Sequence, residues 1–236
     1  MAPSNLKETL QTNLEYVERQ IEQACQRADR ERSSVTLVGV TKYVSPETAL
    51  ELHELGVVNL GESRPQELWR KAEILPDNVS WHMIGHLQTN KVDKTLPLVN
   101  LIHSVDSIKL ITAIEKEAAK QNRTVDVLLE INASGEANKH GFAMDRLDEL
   151  PGELPTLSHV RIRGLMTMAA FSEDAESCRP TFRLLREWSD RLQEQLPPSH
   201  ELQHLSMGMS NDFPIAIEEG ATLIRVGSVL FEGIES

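Results

Sequence analysis

The sequence repeats one unit along most of its length: a short apolar segment, a small polar turn, and a segment with helical periodicity. The apolar segments predict strands at 35–40, 57–60, 79–84, 99–104, 124–132, 159–167, 201–206 and 222–227. The segments between them predict helices at 46–55, 64–75, 88–96, 107–121, 144–150, 174–195 and 212–219. Strands that alternate with helices form parallel βαβ units, so the repeat predicts an α/β fold with a parallel sheet.

The number of units favours a closed barrel over an open sheet. Eight strand–helix units within about 200 residues fit a (β/α)₈ TIM barrel at the small end of its size range. An open, doubly wound sheet is the alternative, but it would place a Gly-rich turn after its first strand. This chain has Thr41-Lys42-Tyr43-Val44 at that point. We therefore predict a barrel over residues 35–231, and we expect a single domain over residues 1–236 because nothing in the sequence marks a boundary.

Apolar residues also precede the first strand, at intervals of three and four. This pattern, with a proline and a serine before it, predicts an additional amphipathic helix over residues 4–29. Its apolar positions are Leu6, Leu10, Leu14, Val17, Ile21, Cys25 and Ala28. We expect this helix to pack against the outside or the base of the barrel.

The composition indicates which kinds of partner the protein can bind and which cellular compartment suits it. The 236 residues carry 24 basic and 36 acidic side chains, a net charge of -12, which argues against non-specific binding to nucleic acid or to an anionic membrane. We find no apolar run of membrane-spanning length and no signal peptide, so we expect no membrane association. The cysteines Cys25 and Cys178 lie far apart without a CxxC motif, as is typical of a protein of the reducing cytoplasm.

The first predicted strand ends beside a lysine. The apolar run Val35–Val40 is typical of a strand buried on both faces, and Lys42 follows it just before the helix start at Ser45-Pro46. The carboxyl ends of such strands face the ligand site of α/β folds, where a low dielectric favours the neutral amine that Schiff-base chemistry needs. Taken alone, a surface lysine that merely ends a strand is the simpler interpretation, but the other strand ends favour a site.

Polar and small residues follow the other strands as well, and in a barrel they converge on one mouth. They are Asn59, Gly61, Glu62, His82, Gly85, His86, His103, Ser104, Asn132, Met166, Met168, Ser206, Met207, Gly208, Arg225, Gly227 and Ser228. The loops after strands seven and eight are where barrels commonly hold phosphate, although their glycines could simply make tight turns. We favour phosphate binding because two such loops occur in the two expected places.

His82 and His86 are four residues apart, a spacing that can hold a metal ion on a helix. The strand-like run Val79–Ile84 and Gly85 argue against a helix here, and no third ligand has a matching spacing. We therefore expect no metal site. Cys178 has no basic partner in the sequence, so we expect no catalytic thiol.

Several segments together resemble one known family. They are Val38–Lys42, Asn59–Glu62 with Gln66-Glu67, Trp81–Lys91, Gly164–Met168, Leu205–Ser210 with Asp212, and Arg225–Gly227. Through these segments the chain resembles the pyridoxal 5′-phosphate (PLP) homeostasis proteins, which are similar to the barrel domain of alanine racemase without its second domain. The resemblance runs from Val35 to Phe231.

This resemblance implies a cofactor site. PLP would be held as a Schiff base on Lys42, and Arg225 would face its pyridine nitrogen. The residues expected to hold the phosphate are Ser206, Gly227 and Ser228. The other residues expected around the cofactor are Asn59, His82, Met166, Met207 and Gly208.

The resemblance leaves two functions in competition, a carrier that buffers or delivers PLP and a PLP-dependent amino-acid racemase. Inversion needs a base on each face of the substrate carbon. Lys42 can serve one face, but we expect no additional domain to supply the tyrosine that alanine racemase uses on the other. An arginine at the pyridine nitrogen would also weaken the ring as an electron sink. We therefore expect a monomeric carrier without efficient amino-acid turnover, whose recipients are apo forms of PLP-dependent enzymes.

Overall fold

The computed structural model describes residues 3–133, 140–170, 172 and 174–234, with side chains from residue 6 onward. Nine strands occur within these residues, and eight of them form one ring. The strands are β1 Thr36–Val40, β2 Asn59–Glu62, β3 Ser80–Met83, β4 Val99–Val105, β5 Val125–Asn132, β6 Phe142–Ala143, β7 Val160–Met166, β8 His204–Ser206 and β9 Leu223–Val226.

The ring closes on itself. Its strands pair in the order β1, β2, β3, β4, β5, β7, β8 and β9, and β9 pairs again with β1 through registers such as Thr36 with Leu223. All of these pairs are parallel. The predicted (β/α)₈ TIM barrel is therefore confirmed.

Helices alternate with the strands along the described chain. They are α1 Pro3–Arg27, α2 Pro46–Glu54, α3 Pro65–Ala72, α4 Val92–Thr95, α5 Ile108–Lys120, α6 Leu150–Glu153, α7 Arg179–Gln195 and α8 Phe213–Glu218. None of the helices in the described part of the chain combines the length and the apolar character needed to cross a bilayer.

The predicted amino-terminal helix is confirmed and lies outside the barrel. It packs against α2 and α8. Asn13 Nδ2 donates to the carbonyl oxygens of Leu230 at 3.1 Å and of Glu232 at 3.0 Å, so the helix is tied to the segment that follows the last strand. The apolar stripe read from the sequence is the buried face, with Leu10, Val17 and Ile21 fully inaccessible.

The helix predicted at 144–150 is wrong. The chain there makes a single 3₁₀ turn at Met144–Arg146, and a short α-helix begins only at Leu150. Pro151 sits in the first turn of that helix, where its missing N–H costs nothing, so it begins a helix and does not end one. The two-residue strand β6 just before this turn was not predicted either.

The inside of the barrel has its own small apolar cluster. It is made by Val38, Leu101, Leu128, Met166 and Leu223, which come from five different strands. The much larger cluster between the strands and the helices is separate from it. Buried polar side chains, among them His103, Ser206 and Arg225, also lie inside the barrel.

Candidate functional site

A cavity of about 580 Å³ opens at the carboxyl ends of the barrel strands. Its volume lies in the range that small-molecule sites usually have. Four of the residues predicted around the cofactor line it, namely Lys42, Arg225, Gly227 and Ser228. The other six, which are Asn59, His82, Met166, Ser206, Met207 and Gly208, do not form part of its wall.

Lys42 lies at the mouth of the cavity, directly after β1. Its side chain is exposed, and Nζ is 4.8 Å from the centroid of the Tyr43 ring. The amine is therefore accessible to a ligand that enters the cavity.

A buried polar network fixes the backbone just before Lys42. Lys71 Nζ, on α3, donates to Glu62 Oε1 at 2.6 Å and to the carbonyl oxygen of Thr41 at 2.5 Å. The Thr41 hydroxyl donates to the same Glu62 oxygen at 2.6 Å. All three side chains are inaccessible to solvent. Sequence reasoning missed Lys71, although its position three residues after Leu68 on the apolar face of α3 was a signal for a buried lysine.

Arg225 is a buried cation in the cavity wall. Nη2 donates to the carbonyl oxygen of Thr167 at 2.9 Å, and Nη1 donates to Ser206 Oγ at 2.5 Å. Burial lowers the pKa of Arg225 to about 10, with Asp212 and Glu130 acting in the opposite direction, so the guanidinium stays charged at neutral pH. A guanidinium has five N–H donors, which leaves donors for a ligand in the cavity.

A chain of hydrogen bonds runs from Arg225 through the barrel interior. Ser206 Oγ lies 2.8 Å from His103 Nδ1, His103 Nε2 lies 2.8 Å from His82 Nδ1, and His82 Nε2 lies 3.1 Å from Asn59 Oδ1. Arginine can only donate, so Ser206 accepts from it and gives its own hydrogen to His103. Each histidine then accepts at Nδ1 and donates at Nε2, which assigns both tautomers.

The charge state of the two histidines agrees with this assignment. Burial lowers the pKa of His82 to about 4, and burial together with the charges of His82 and Arg225 lowers the pKa of His103 well below its usual value. Both rings are therefore neutral near pH 7. Three of the residues predicted around the cofactor, Ser206, His82 and Asn59, thus lie behind Arg225 and hold it in place.

The loops after β8 and β9 meet at Ser210. Its hydroxyl accepts hydrogen bonds from the backbone N–H of Gly227 at 3.2 Å and of Val229 at 3.5 Å. Ser210, Gly227 and Ser228 line the cavity, and the amides of Gly227 and Val229 both point at the Ser210 hydroxyl. The family resemblance placed the phosphate on Ser206, Gly227 and Ser228, and did not make Ser210 a phosphate contact.

Glycine is required at position 208 by the packing of the backbone, and this requirement does not involve the cavity. Its φ is +92°, and a Cβ there would lie 2.6 Å from the Ala216 Cβ and 2.9 Å from the Phe213 Cα. Glycine is needed because this turn packs directly on α8. Met166 belongs to the apolar cluster inside the barrel, and Met207 belongs to the main core.

Glu130 is a second buried ionisable group that the sequence reading missed. Burial, and to a smaller extent the charge of Asp106, raises the pKa of Glu130 to about 7, while the charges of Arg225 and His86 act against this rise. The carboxyl is therefore partly protonated at neutral pH. A glutamate inside the apolar strand Val125–Asn132 was the available signal, because such residues are rarely buried without a reason.

Comparison with known proteins places the fold and the site in context. A family model described as "Alanine racemase, N-terminal domain" matches residues 12–234. The pyridoxal phosphate homeostasis protein of Aquifex aeolicus is 45% identical over 219 residues, which cover 92% of this chain and 95% of that protein.

Two solved structures are similar over most of this chain. A protein from Bifidobacterium adolescentis superposes with a TM-score of 0.91 at 34% identity, covering 98% of both chains. PipY of Synechococcus elongatus, solved with PLP bound, superposes with a TM-score of 0.76 at 35% identity, covering 90% of this chain and 99% of PipY.

Proposed function

This chain belongs to the family of pyridoxal phosphate homeostasis proteins, and on that premise we propose that it binds PLP in the cavity beside Lys42 and buffers or delivers it. The observation that carries the proposal is the accessible amine of Lys42 at one cavity whose wall also holds a buried guanidinium and a hydroxyl–amide cluster. A lysine amine condenses with the aldehyde of PLP to form a C=N bond, releasing one water molecule.

The described residues fit each part of this cofactor. Lys42 Nζ would take the aldehyde carbon. The donors suited to a phosphate are two hydroxyls, of Ser210 and Ser228, and two amides, of Gly227 and Val229. The two amides now donate to the Ser210 hydroxyl, and a bound phosphate would replace it as the acceptor of their hydrogen bonds. The free donors of Arg225 suit the pyridine nitrogen, since a guanidinium can only donate.

Carrying the cofactor, without turning over amino acids, is the function that these residues support best. Arg225 keeps its proton near neutral pH, so it would hydrogen-bond to an unprotonated ring nitrogen and leave the ring a poor electron sink. Burial also raises the pKa of Cys178, the thiol in the cavity wall, so it stays protonated near neutral pH and cannot accept a proton. Amino-acid racemisation is the second candidate, and the alanine racemase match of residues 12–234 is what favours it.

We extend the proposal to the setting of the protein. The recipients would be apo forms of PLP-dependent enzymes, and the carrier would act as a monomer in the cytoplasm. The two cysteines among the described residues are free and buried, which agrees with a reducing compartment.

An absorption spectrum, combined with borohydride trapping, tests this function. The purified protein with added PLP should develop a visible band that borohydride removes, and peptide mapping should find the label on Lys42. Lys42→Ala should abolish the label without lowering the melting temperature, because the side chain is exposed. Lys109→Ala, which removes an exposed lysine on α5, is the matched control and should label normally. A label that persists in Lys42→Ala would contradict the assignment.

A further inference from the structure

Three side chains meet at the barrel mouth, outside the wall of the cavity. His86 follows β3, Asp106 follows β4, and His140 precedes β6. His86 Nδ1 lies 2.8 Å and His140 Nδ1 lies 3.5 Å from the same oxygen, Asp106 Oδ2. One potential ligand atom from each residue lies within 4.8 Å of the others.

Hydrogen bonds around the carboxylate orient it. Ser107 Oγ donates to Asp106 Oδ1 at 3.0 Å, which leaves Oδ2 for the two histidines. Ser104 Oγ, on β4, donates to the carbonyl oxygen of Gly85 at 2.6 Å and so ties the segment carrying His86 to the next strand. Partners of this kind orient metal ligands in proteins.

The strand β6 brings the third side chain into place. It pairs with the end of β5, where Ile131 lies opposite Phe142. Gly141, between His140 and Phe142, has a φ of +116°, and a Cβ there would lie 2.8 Å from the Glu130 carbonyl oxygen. A glycine is therefore needed for the chain to turn back here. As a result, the His140 ring stacks on the His86 ring with centroids 4.4 Å apart.

We propose that His86, Asp106 and His140 bind a divalent transition metal ion of the Zn²⁺ class. Two imidazoles and one carboxylate are a ligand set that zinc takes readily, and they leave a coordination position for water. Ligand atoms about 2.1 Å from a tetrahedral ion lie about 3.4 Å apart. The separations of 2.8 and 3.5 Å from Asp106 Oδ2 bracket that value.

The solvent exposure of the three side chains also suits the binding of an ion. The side chains of His86 and His140 are 43% and 61% exposed, whereas that of Asp106 is 8% exposed. An ion can therefore reach the histidines from solvent, while the carboxylate lies in a less hydrated position.

The expectation from the sequence that there is no metal site was based on a different pair of residues, His82 and His86. The ring of His82 is inside the barrel, bonded to His103 and Asn59, so His82 and His86 do not form a ligand pair. The partners of His86 come from two other loops, which no local spacing could reveal.

Zinc titration of the untagged protein tests the proposal. The chain is stripped with a chelator, dialysed, and titrated with Zn²⁺ in a calorimeter, and Co²⁺ serves as an absorption probe. One ion should bind per chain. Asp106→Asn and His140→Gln should each weaken Zn²⁺ binding by about tenfold or more, since changes in the outer shell alone cost that much. His159→Gln, which removes a half-buried histidine paired with Glu115, is the matched control and should bind as the original chain does.

The outcomes are distinct. Failure of the original chain to bind Zn²⁺ saturably at one ion per chain would overturn the proposal, and so would unchanged affinity in both ligand variants. Because both substitutions fall at the barrel mouth, outside the hydrophobic clusters, their melting temperatures should stay close to that of the original chain. The titration measures Zn²⁺ binding both in the absence and in the presence of PLP, so its result does not depend on the proposed carrier function.

Discussion

Two serines, Ser206 at the end of β8 and Ser210 in the loop after it, serve different parts of the proposed site. Ser206 has no hydroxyl hydrogen to spare for a phosphate, because it accepts from Arg225 and gives that hydrogen to His103 inside the barrel. Ser210 lies at the cavity wall, where it accepts from the amides of Gly227 and Val229. The first serine therefore orients the cation that would face the cofactor ring, and the second belongs to the cluster suited to phosphate.

Substitution of each serine should separate these roles. Ser210→Ala should weaken PLP binding by about 1 kcal/mol, or up to about 3 because the partner is charged, and should hardly affect pyridoxal, which lacks the phosphate. Ser206→Ala should weaken both ligands by similar factors, because it disturbs Arg225. Titration of both ligands against both variants checks this. If Ser206→Ala weakened the binding of PLP but not of pyridoxal, Ser206 would be a phosphate contact, as the sequence suggested.

The sequence could predict which residues at the strand ends line the cavity. Lys42, Arg225, Gly227 and Ser228 were expected at one mouth because strand ends in a parallel barrel converge, and all four line the cavity. The same rule assigned Ser206 to the mouth, but it could not tell that an inward-pointing side chain was already bonded within the barrel. That distinction depends on which residues lie across the interior, and no local pattern records it.

At the scale of elements, α3 does more than cover the barrel. It delivers the amine of Lys71 to the Thr41 carbonyl and to Glu62, so it joins β2 to the residue before Lys42. The second oxygen of Glu62 has no partner among the described residues. A buried ion pair of this kind depends on both members being present, because each is costly to bury alone.

Removal of one member should therefore cost more than removal of both. Lys71→Met should lower the free energy of unfolding by about 3–5 kcal/mol, since it leaves Glu62 buried without its cation. The double variant Lys71→Met with Glu62→Gln should recover a large part of that loss. Urea denaturation of the three proteins measures the difference. Equal stability of the single and double variants would mean that the pair is not coupled.

Long elements were predictable and short ones were not. The eight barrel strands were predicted because most of them lie in segments rich in apolar residues between turn signals. The strand β6 has only two residues and gives no pattern of its own. Its existence depends on pairing with the end of β5, which is a tertiary effect. The helix misplaced at 144–150 lies in the same return segment, where short polar stretches are compatible with several turns.

At the scale of the whole molecule, the closed barrel divides its mouth into two parts. The cavity is lined by residues at the ends of β1, β2, β3, β7, β8 and β9, with Lys42 and Arg225 in its wall. The His86, Asp106 and His140 cluster lies by the ends of β3, β4 and β5. Gly85 lines the cavity and His86 follows it, so the two parts adjoin. The first part binds a cofactor in our proposal, and whether chemistry follows depends on the groups around it.

We expect the PLP-loaded protein to remove the α-proton of amino acids only slowly. Lys42 offers one base, while the charged Arg225 would keep the ring nitrogen unprotonated, and both act on the same proton transfer. The raised pKa of Cys178, in the cavity wall, keeps this thiol protonated near neutral pH, so it does not supply a second base. The rate of α-proton exchange of L-alanine in deuterium oxide, followed by NMR, should therefore stay well below about 1 s⁻¹, the lower end of typical enzyme turnover. Because Arg225 loses its proton only near pH 10, a change from pH 7 to pH 9 should not release faster exchange. Exchange at many turnovers per second that disappears in Lys42→Ala would instead identify an enzyme.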